Sequence, residues 1–254
     1  MVEPDTNMST KLSHKIIRWL NISQFWLLPG ICVVCKLPTG RPRDLCLACQ
    51  MKLPRITDPC PGCALPLPPG ELRQRLCGQC SRTRPIFRTV APLRWEGEVI
   101  PLVTGFKYRQ QLVAGRVLGQ VLESHIRNHY GSDTLPQLLL PVPLHASRLR
   151  ERGYNQALLL ARQLGDAFNL PVSHDLLNRV RNTPAQQGLN ARQRKLNLKG
   201  AFSVPATTPL QGIGSIAIVD DVVTTMTTVR MAALALHQAS PLPLRIHVWA
   251  LARA

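Results

Sequence analysis

Beyond about residue 89 the chain alternates between two hydrophobic textures. Short unbroken apolar runs occupy Leu138 to Val142, Ile216 to Val219 and Ile246 to Leu251, and Val90 to Trp95 reads as a further strand. Such runs suit strands covered on both faces. Longer segments between them carry apolar residues at helical spacing. From Gln111 to His129 these are Leu112, Val113, Val117, Leu118, Val121, Leu122 and Ile126; Gln156 to Phe168 and Thr227 to Ala239 repeat the pattern. Strands alternating with helices predict an α/β fold over residues 89–254, a parallel sheet flanked by helices.

Residues 30–82 show neither texture. They are rich in Cys, Pro and Gly, and a segment so poor in apolar periodicity needs a staple in place of a core. Residues 1–29 read as an extension with a small helix. Its apolar stretch, Ile16 to Leu28, is interrupted by Arg18, Asn21, Ser23 and Gln24. That is too short and too polar to span a bilayer, and no signal-peptide cleavage pattern follows. The expectation is a cytoplasmic protein without membrane insertion.

All eight cysteines lie in the stapled segment as four Cys-x-x-Cys knuckles: Cys32 and Cys35, Cys46 and Cys49, Cys60 and Cys63, Cys77 and Cys80. A two-residue gap lets both thiolates of a knuckle face one metal, and two knuckles complete a tetrahedral site. The spacing predicts two structural Zn2+ ions. Sequential pairing gives Cys32, Cys35, Cys46, Cys49 for one and Cys60, Cys63, Cys77, Cys80 for the other; interleaving alternate knuckles is the alternative. Disulfides would need an oxidising compartment. A redox Cys-x-x-Cys would stand alone beside a βαβ unit. Four Cys per metal leave no open position, which favours a structural role. The seven histidines form no ligand-spaced cluster.

Charge narrows the partners. Lys and Arg number 31 against 14 Asp and Glu, a net +17, which points to nucleic acid or phosphorylated ligands. Residues 176–200 hold Arg179, Arg181, Arg192, Arg194, Lys195 and Lys199 with no acid, and within them Asn182 to Leu189, with few apolar anchors, reads as a mobile loop. Asp220 and Asp221 are the only acidic residues from Leu176 onward. They close an apolar strand, where open α/β sheets bind ligands, and are followed by Thr224, Thr225, Thr227 and Thr228 at the start of a helix. Hydroxyls, backbone N–H groups and a helix N-terminus together suit a phosphate.

This strand, acid pair and threonine loop resemble the type I phosphoribosyltransferase signature for phosphoribosyl pyrophosphate. The resemblance implies Asp220 and Asp221 on the ribose 2′- and 3′-hydroxyls, and Thr224, Thr225, Met226, Thr227 and Thr228 around the 5′-phosphate. Pro143, Leu144 and His145, after the first core strand, would meet a pyrophosphate carried with Mg2+, and Arg148 and Arg152 would neutralise it. Such loops usually have a small residue, most often Gly, where Met226 stands. A side chain in a left-handed conformation costs about 1–2 kcal/mol, so Met226 is expected to weaken the phosphate end.

The four knuckles, Phe106-Lys107-Tyr108, Arg152-Gly153-Tyr154-Asn155-Gln156, Gln187-Gly188-Leu189 and Asp220-Asp221-Val222-Val223-Thr224-Thr225 together resemble the ComF family of DNA-uptake and DNA-utilisation proteins, over about residues 30–254. That resemblance implies a type I phosphoribosyltransferase-like parallel sheet behind an N-terminal double zinc ribbon. It also implies a cytoplasmic role with single-stranded DNA, beside a DNA-uptake helicase or in using DNA as a nutrient. Lys107, Asp220, Asp221 and Arg192 would form the catalytic set, Arg192 riding on a loop that closes over the ligand. Two function classes follow. One is a protein that binds phosphoribosyl pyrophosphate or a related phosphorylated ribose, and single-stranded DNA. The other is an active Mg2+-dependent phosphoribosyltransferase with an unknown acceptor.

Overall fold

The computed structural model describes residues 30–68, 76–82, 86–131, 133–181, 200–205 and 210–254. Arg192, with the rest of 182–199, and the N-terminal extension lie outside the described residues. The chain divides into two compact units, Met1–Leu53 and Pro54–Ala254. The cysteine-rich stretch 30–82 is therefore shared between them.

The described part of the first unit is a knuckle pair and one short helix, α1 (Leu47–Lys52). Ile31 bridges Pro38 across the first knuckle, and Val33 N–H donates to Asp44 O at 2.9 Å. The Cys46 sulfur caps α1 by accepting from Cys49 N–H. Cys32, Leu45 and Leu53 are its buried apolar residues.

The second unit is built on a parallel sheet. Its strands are β1 (Arg88–Val90), β2 (Leu93–Arg94), β3 (Leu138–Pro141), β6 (Ser215–Val223) and β7 (Arg245–Arg253). The order is β1-β7-β6-β3, with β2 pairing the same edge of β7 beyond β1. Every pairing in this sheet is parallel. A separate antiparallel pair joins β4 (Asn178–Arg179) to β5 (Phe202–Ser203). The helices are α2 (Val99–Tyr108), α3 (Leu112–Tyr130), α4 (Ala146–Arg152), α5 (Gln156–Phe168) and α6 (Thr227–Ala239).

Strand alternation sorts the core into two layers. Ile216, Ile218, Ile246, Val248 and Ala250 pack with Val229, Ala232, Ala233 and Leu236 of α6. His247 and Trp249 project to the other face. There the Tyr130 hydroxyl of α3 shares a 2.7 Å hydrogen bond with His247 Nδ1 and accepts from Trp249 Nε1 at 3.0 Å, and the Phe168 ring of α5 lies tilted against Trp249. Both faces are covered, as parallel sheets require. The expected α/β architecture is the one observed.

The differences from expectation are local. Val90 to Trp95 is two short strands because Pro92 cannot donate to the β7 ladder. Strand β6 runs on through both aspartates to Val223. The arginine-bearing turn after β3 is a short helix, α4, ended by Gly153 at φ 81°. Helix α2 had no strong periodic signal. No helix among the described residues is long and apolar enough to cross a membrane.

Candidate functional site

The eight cysteines form two tetrads, Cys32, Cys35, Cys46, Cys49 and Cys60, Cys63, Cys77, Cys80, with all sulfurs of each within 4.8 Å of one another. Pairing is therefore sequential. A tetrahedral ion with bonds of about 2.3 Å to sulfur sets its ligands about 3.8 Å apart. The Cys35–Cys46 and Cys63–Cys77 separations are 3.8 and 3.7 Å. Backbone N–H groups of Cys46, Cys49 and Cys77 point at the sulfurs of Cys32, Cys46 and Cys60 at 3.3–3.5 Å, as suits thiolates. Both donor sets fit Zn2+ closed on four sulfurs. Gly62 makes the second tetrad feasible, because a Cβ there would meet Cys80 Cβ and Sγ at 3.0 Å.

The chemistry of the α/β unit converges on a cavity of about 400 Å³ at the carboxyl end of β6. Asp220 lines it, with the whole turn Thr224, Thr225, Met226, Thr227 and Thr228, Lys107 from α2 and Arg148 from α4. Thr225 and Thr227 share a hydroxyl hydrogen bond of 2.8 Å at the start of α6. Trp95, Thr104, Tyr108 and Arg179 complete the walls. Sequence reasoning gave none of these four a site role. Trp95 and Thr104 carry no local signal, and Tyr108 and Arg179 were visible only as parts of a motif and a basic segment.

The two aspartates part company. Successive strand residues face opposite sides of a sheet, and Asp221 turns away from the cavity toward α5. Its carboxylate meets Lys107 Nζ at 2.8 Å and accepts from Gln156 Nε2 at 2.9 Å and from Val222 N–H at 2.6 Å. It is only 3% exposed. A buried carboxylate needs such partners to remain charged. Burial opposes the Lys107 charge, but the Asp221 charge and hydrogen bond outweigh it and hold the ammonium above its usual pKa. Burial, and then the adjacent Asp221 charge, push the Asp220 carboxyl up to about 7, against the pull of Lys107.

Two sequence motifs thus form one clamp. Arg152 Nη1 donates to Gln156 Oε1 at 2.6 Å, and its guanidinium lies 4.9 Å from the Tyr108 ring centroid. The Tyr154 hydroxyl donates to Phe106 O. Arg152, Tyr154 and Gln156 therefore fix the Phe106-Lys107-Tyr108 turn. Arg152 and the run Pro143, Leu144, His145 are not among the residues lining the cavity. The His145 ring folds back on Ser147, its Nδ1 2.8 Å from the Ser147 hydroxyl.

Met226 is the one residue of the phosphate-type turn with a large apolar side chain. It is left-handed, at φ 62° and ψ 0°, where Gly was expected to be at ease. Its side chain is 2% exposed and belongs to the core below α6. The bulk of Met226 therefore enters the core and does not fill the turn.

The sequence pattern of the double zinc ribbon domain matches residues 24–81. Competence protein F of Haemophilus influenzae is 34% identical over 181 residues, 70% of this chain and 78% of that protein. The chain belongs to this family. DNA utilization protein YhgH of Shigella flexneri and of Escherichia coli K12 are each 34% identical over 182 residues, 70% of this chain and 77% of theirs. The family resemblance drawn from the knuckles and the acidic turn is thereby established.

Proposed function

We propose that this protein binds a phosphorylated ribose, phosphoribosyl pyrophosphate or a close relative, in the service of DNA uptake or DNA utilisation. One observation carries the reading. A single cavity joins the Asp220 carboxylate to the Thr224–Thr228 turn at a helix N-terminus, with Lys107, Arg148 and Arg179 on its walls. Carboxylate for hydroxyls, threonines and N–H groups for phosphate, and cations for further phosphates match the parts of that ligand. Asp220 is the ribose contact and would help to hold Mg2+ carried with the pyrophosphate. Asp221 acts through Lys107, holding the ammonium on the wall. Arg192, which lies outside the described residues, would add a further cation for the phosphates. The names of the relatives supply the DNA context. The +17 charge supports contact with single-stranded DNA through its phosphates.

Calorimetry with phosphoribosyl pyrophosphate and Mg2+ tests the reading. Asp220→Asn removes charge-assisted hydrogen bonds and should weaken binding about tenfold or more. In the parent, 2-deoxyribose 5-phosphate should bind more weakly than ribose 5-phosphate, and Asp220→Asn should erase that preference while Asp221→Asn keeps it. No binding by the parent would refute the proposal. For DNA, affinity for an oligothymidine should fall steeply with salt, and replacing Arg192, Arg194 and Lys195 by Ala should flatten the slope. A slope unchanged by those replacements removes the segment from the DNA contact.

A further inference from the structure

The second cysteine tetrad lies in the same compact unit as the phosphate-type turn and is joined to it by hydrogen bonds, whereas the first tetrad belongs to the other unit. Arg253, the last residue of β7, donates from Nε to Cys63 O at 2.9 Å and from Nη1 to Val223 O at 3.3 Å. Val223 is the residue immediately before Thr224. Ala254 N–H donates to the same Val223 O at 3.0 Å, so Arg253 and Ala254 together hold the residue that enters the turn. The buried Met226 side chain and Cys60, Cys63, Ala64 and Cys80 belong to the same extended hydrophobic core. A further set of bonds fixes the knuckle to the sheet, where Thr89 donates from its N–H to Pro61 O and from its hydroxyl to Gly62 O, both at 2.8 Å.

Charge explains why an arginine does this. Four thiolates around one Zn2+ leave a net charge of about −2. A guanidinium beside this set suits that charge, and its planar fork reaches Cys63 O from Nε and Val223 O and Ala254 O from Nη1, a spread of donors that the single nitrogen of an ammonium does not reproduce. If the metal leaves, the sulfurs lose the ion that draws the two knuckles together. Cys63 O, which Arg253 binds, then loses its fixed position.

We propose that Arg253 makes ligand binding at the Thr224–Thr228 turn conditional on metal in the Cys60, Cys63, Cys77, Cys80 set, while metal in the Cys32, Cys35, Cys46, Cys49 set leaves the turn unaffected. The ligand part rests on the reading of that turn as a phosphate site; the mechanical tie does not. By linkage the effect is reciprocal, so a ligand at the turn strengthens the hold on one metal ion and not on the other.

The test uses the full zinc-loaded protein. Zinc release to a chromogenic chelator is followed with and without saturating phosphoribosyl pyrophosphate and Mg2+. Ligand should slow one of the two release phases about fivefold or more, the low end of ordinary coupling, and leave the other unchanged. Arg253→Met should abolish that slowing. Arg253→Lys keeps the charge beside the sulfurs and so protects folding, yet should also uncouple the two. Ligand that binds but slows neither phase, or both equally, overturns the proposal. If the ligand does not bind at all, the phosphate reading fails and hydrogen exchange judges the tie. Arg253→Lys should then raise exchange at 60–64 and at 223–228 together. A rise at only one of them, or at neither, overturns it.

Discussion

Replacing Met226 by Gly and by Ala separates two opposed energies. The parent residue is left-handed, which costs about 1–2 kcal/mol for any side chain. Its side chain is buried to 2% exposure, which stabilises by about 1.5–3 kcal/mol. Gly relieves the strain but loses the burial, and adds about 0.5–1 kcal/mol of unfolded-chain entropy. The net expectation is a loss of about 1–2 kcal/mol. For a unit of this size that is a fall in Tm of about 2–8 °C. Ala loses most of the burial and keeps the strain, so it should be less stable than Gly by about 0.5–1 kcal/mol. In an ordinary helical position the order is reversed. Thermal melts of the three proteins read this directly, and calorimetry with phosphoribosyl pyrophosphate reads the site. A parent left-handed at this position cannot give an Ala variant more stable than Gly. A Gly variant more stable than the parent would refute the burial argument. Affinity should change little on Met226→Gly, since the side chain lies in the core; a gain of about fivefold, the equivalent of about 1 kcal/mol, would put the bulk of Met226 back in the phosphate site.

Three further outcomes are expected. Asp220 has its carboxyl raised to about 7, and ribose hydroxyls donate to its ionised form, so affinity for ribose 5-phosphate should rise about tenfold between pH 6 and 8; an Asp220→Asn protein with the same pH profile would exclude Asp220 as its source. Burial, ahead of the charges of Arg88 and Arg245, lowers His247 to about 4. The unfolded chain then binds more protons between about pH 6.5 and 4, so this stability, about 3 kcal/mol, is complete above pH 6.5 and lost as pH falls toward 4; His247→Gln should flatten the fall in Tm across that window, and an unaltered fall assigns it to other groups. The parent should carry two zinc ions by elemental analysis, and Gly62→Ala, which sets a Cβ 3.0 Å from Cys80, should speed release of one of them; release at the parent rate would mean that the knuckle has room.

Much of the fold is written in short-range pattern. Helix α6 occupies the predicted Thr227 to Ala239, and α5 the predicted Gln156 to Phe168, because their apolar spacing admits one buried face. The cysteine spacing required metal-linked knuckles but left their pairing open, since thiolates of any two knuckles have the same chemistry. Only the folded backbone brings Cys60 and Cys63 to Cys77 and Cys80. The Asp220–Asp221 pair marked the site in the sequence. That the two carboxylates face opposite sides of the sheet follows from strand alternation, once β6 is known to run past them. What Asp221 meets depends on Lys107 and Gln156, which lie far away in sequence and were placed by the tertiary fold. Local pattern determines which segments are strands, helices and knuckles, because those are periodic, nearest-neighbour properties. Which side chain stands beside which carboxylate or sulfur is a property of long-range packing, and the tertiary structure decided it.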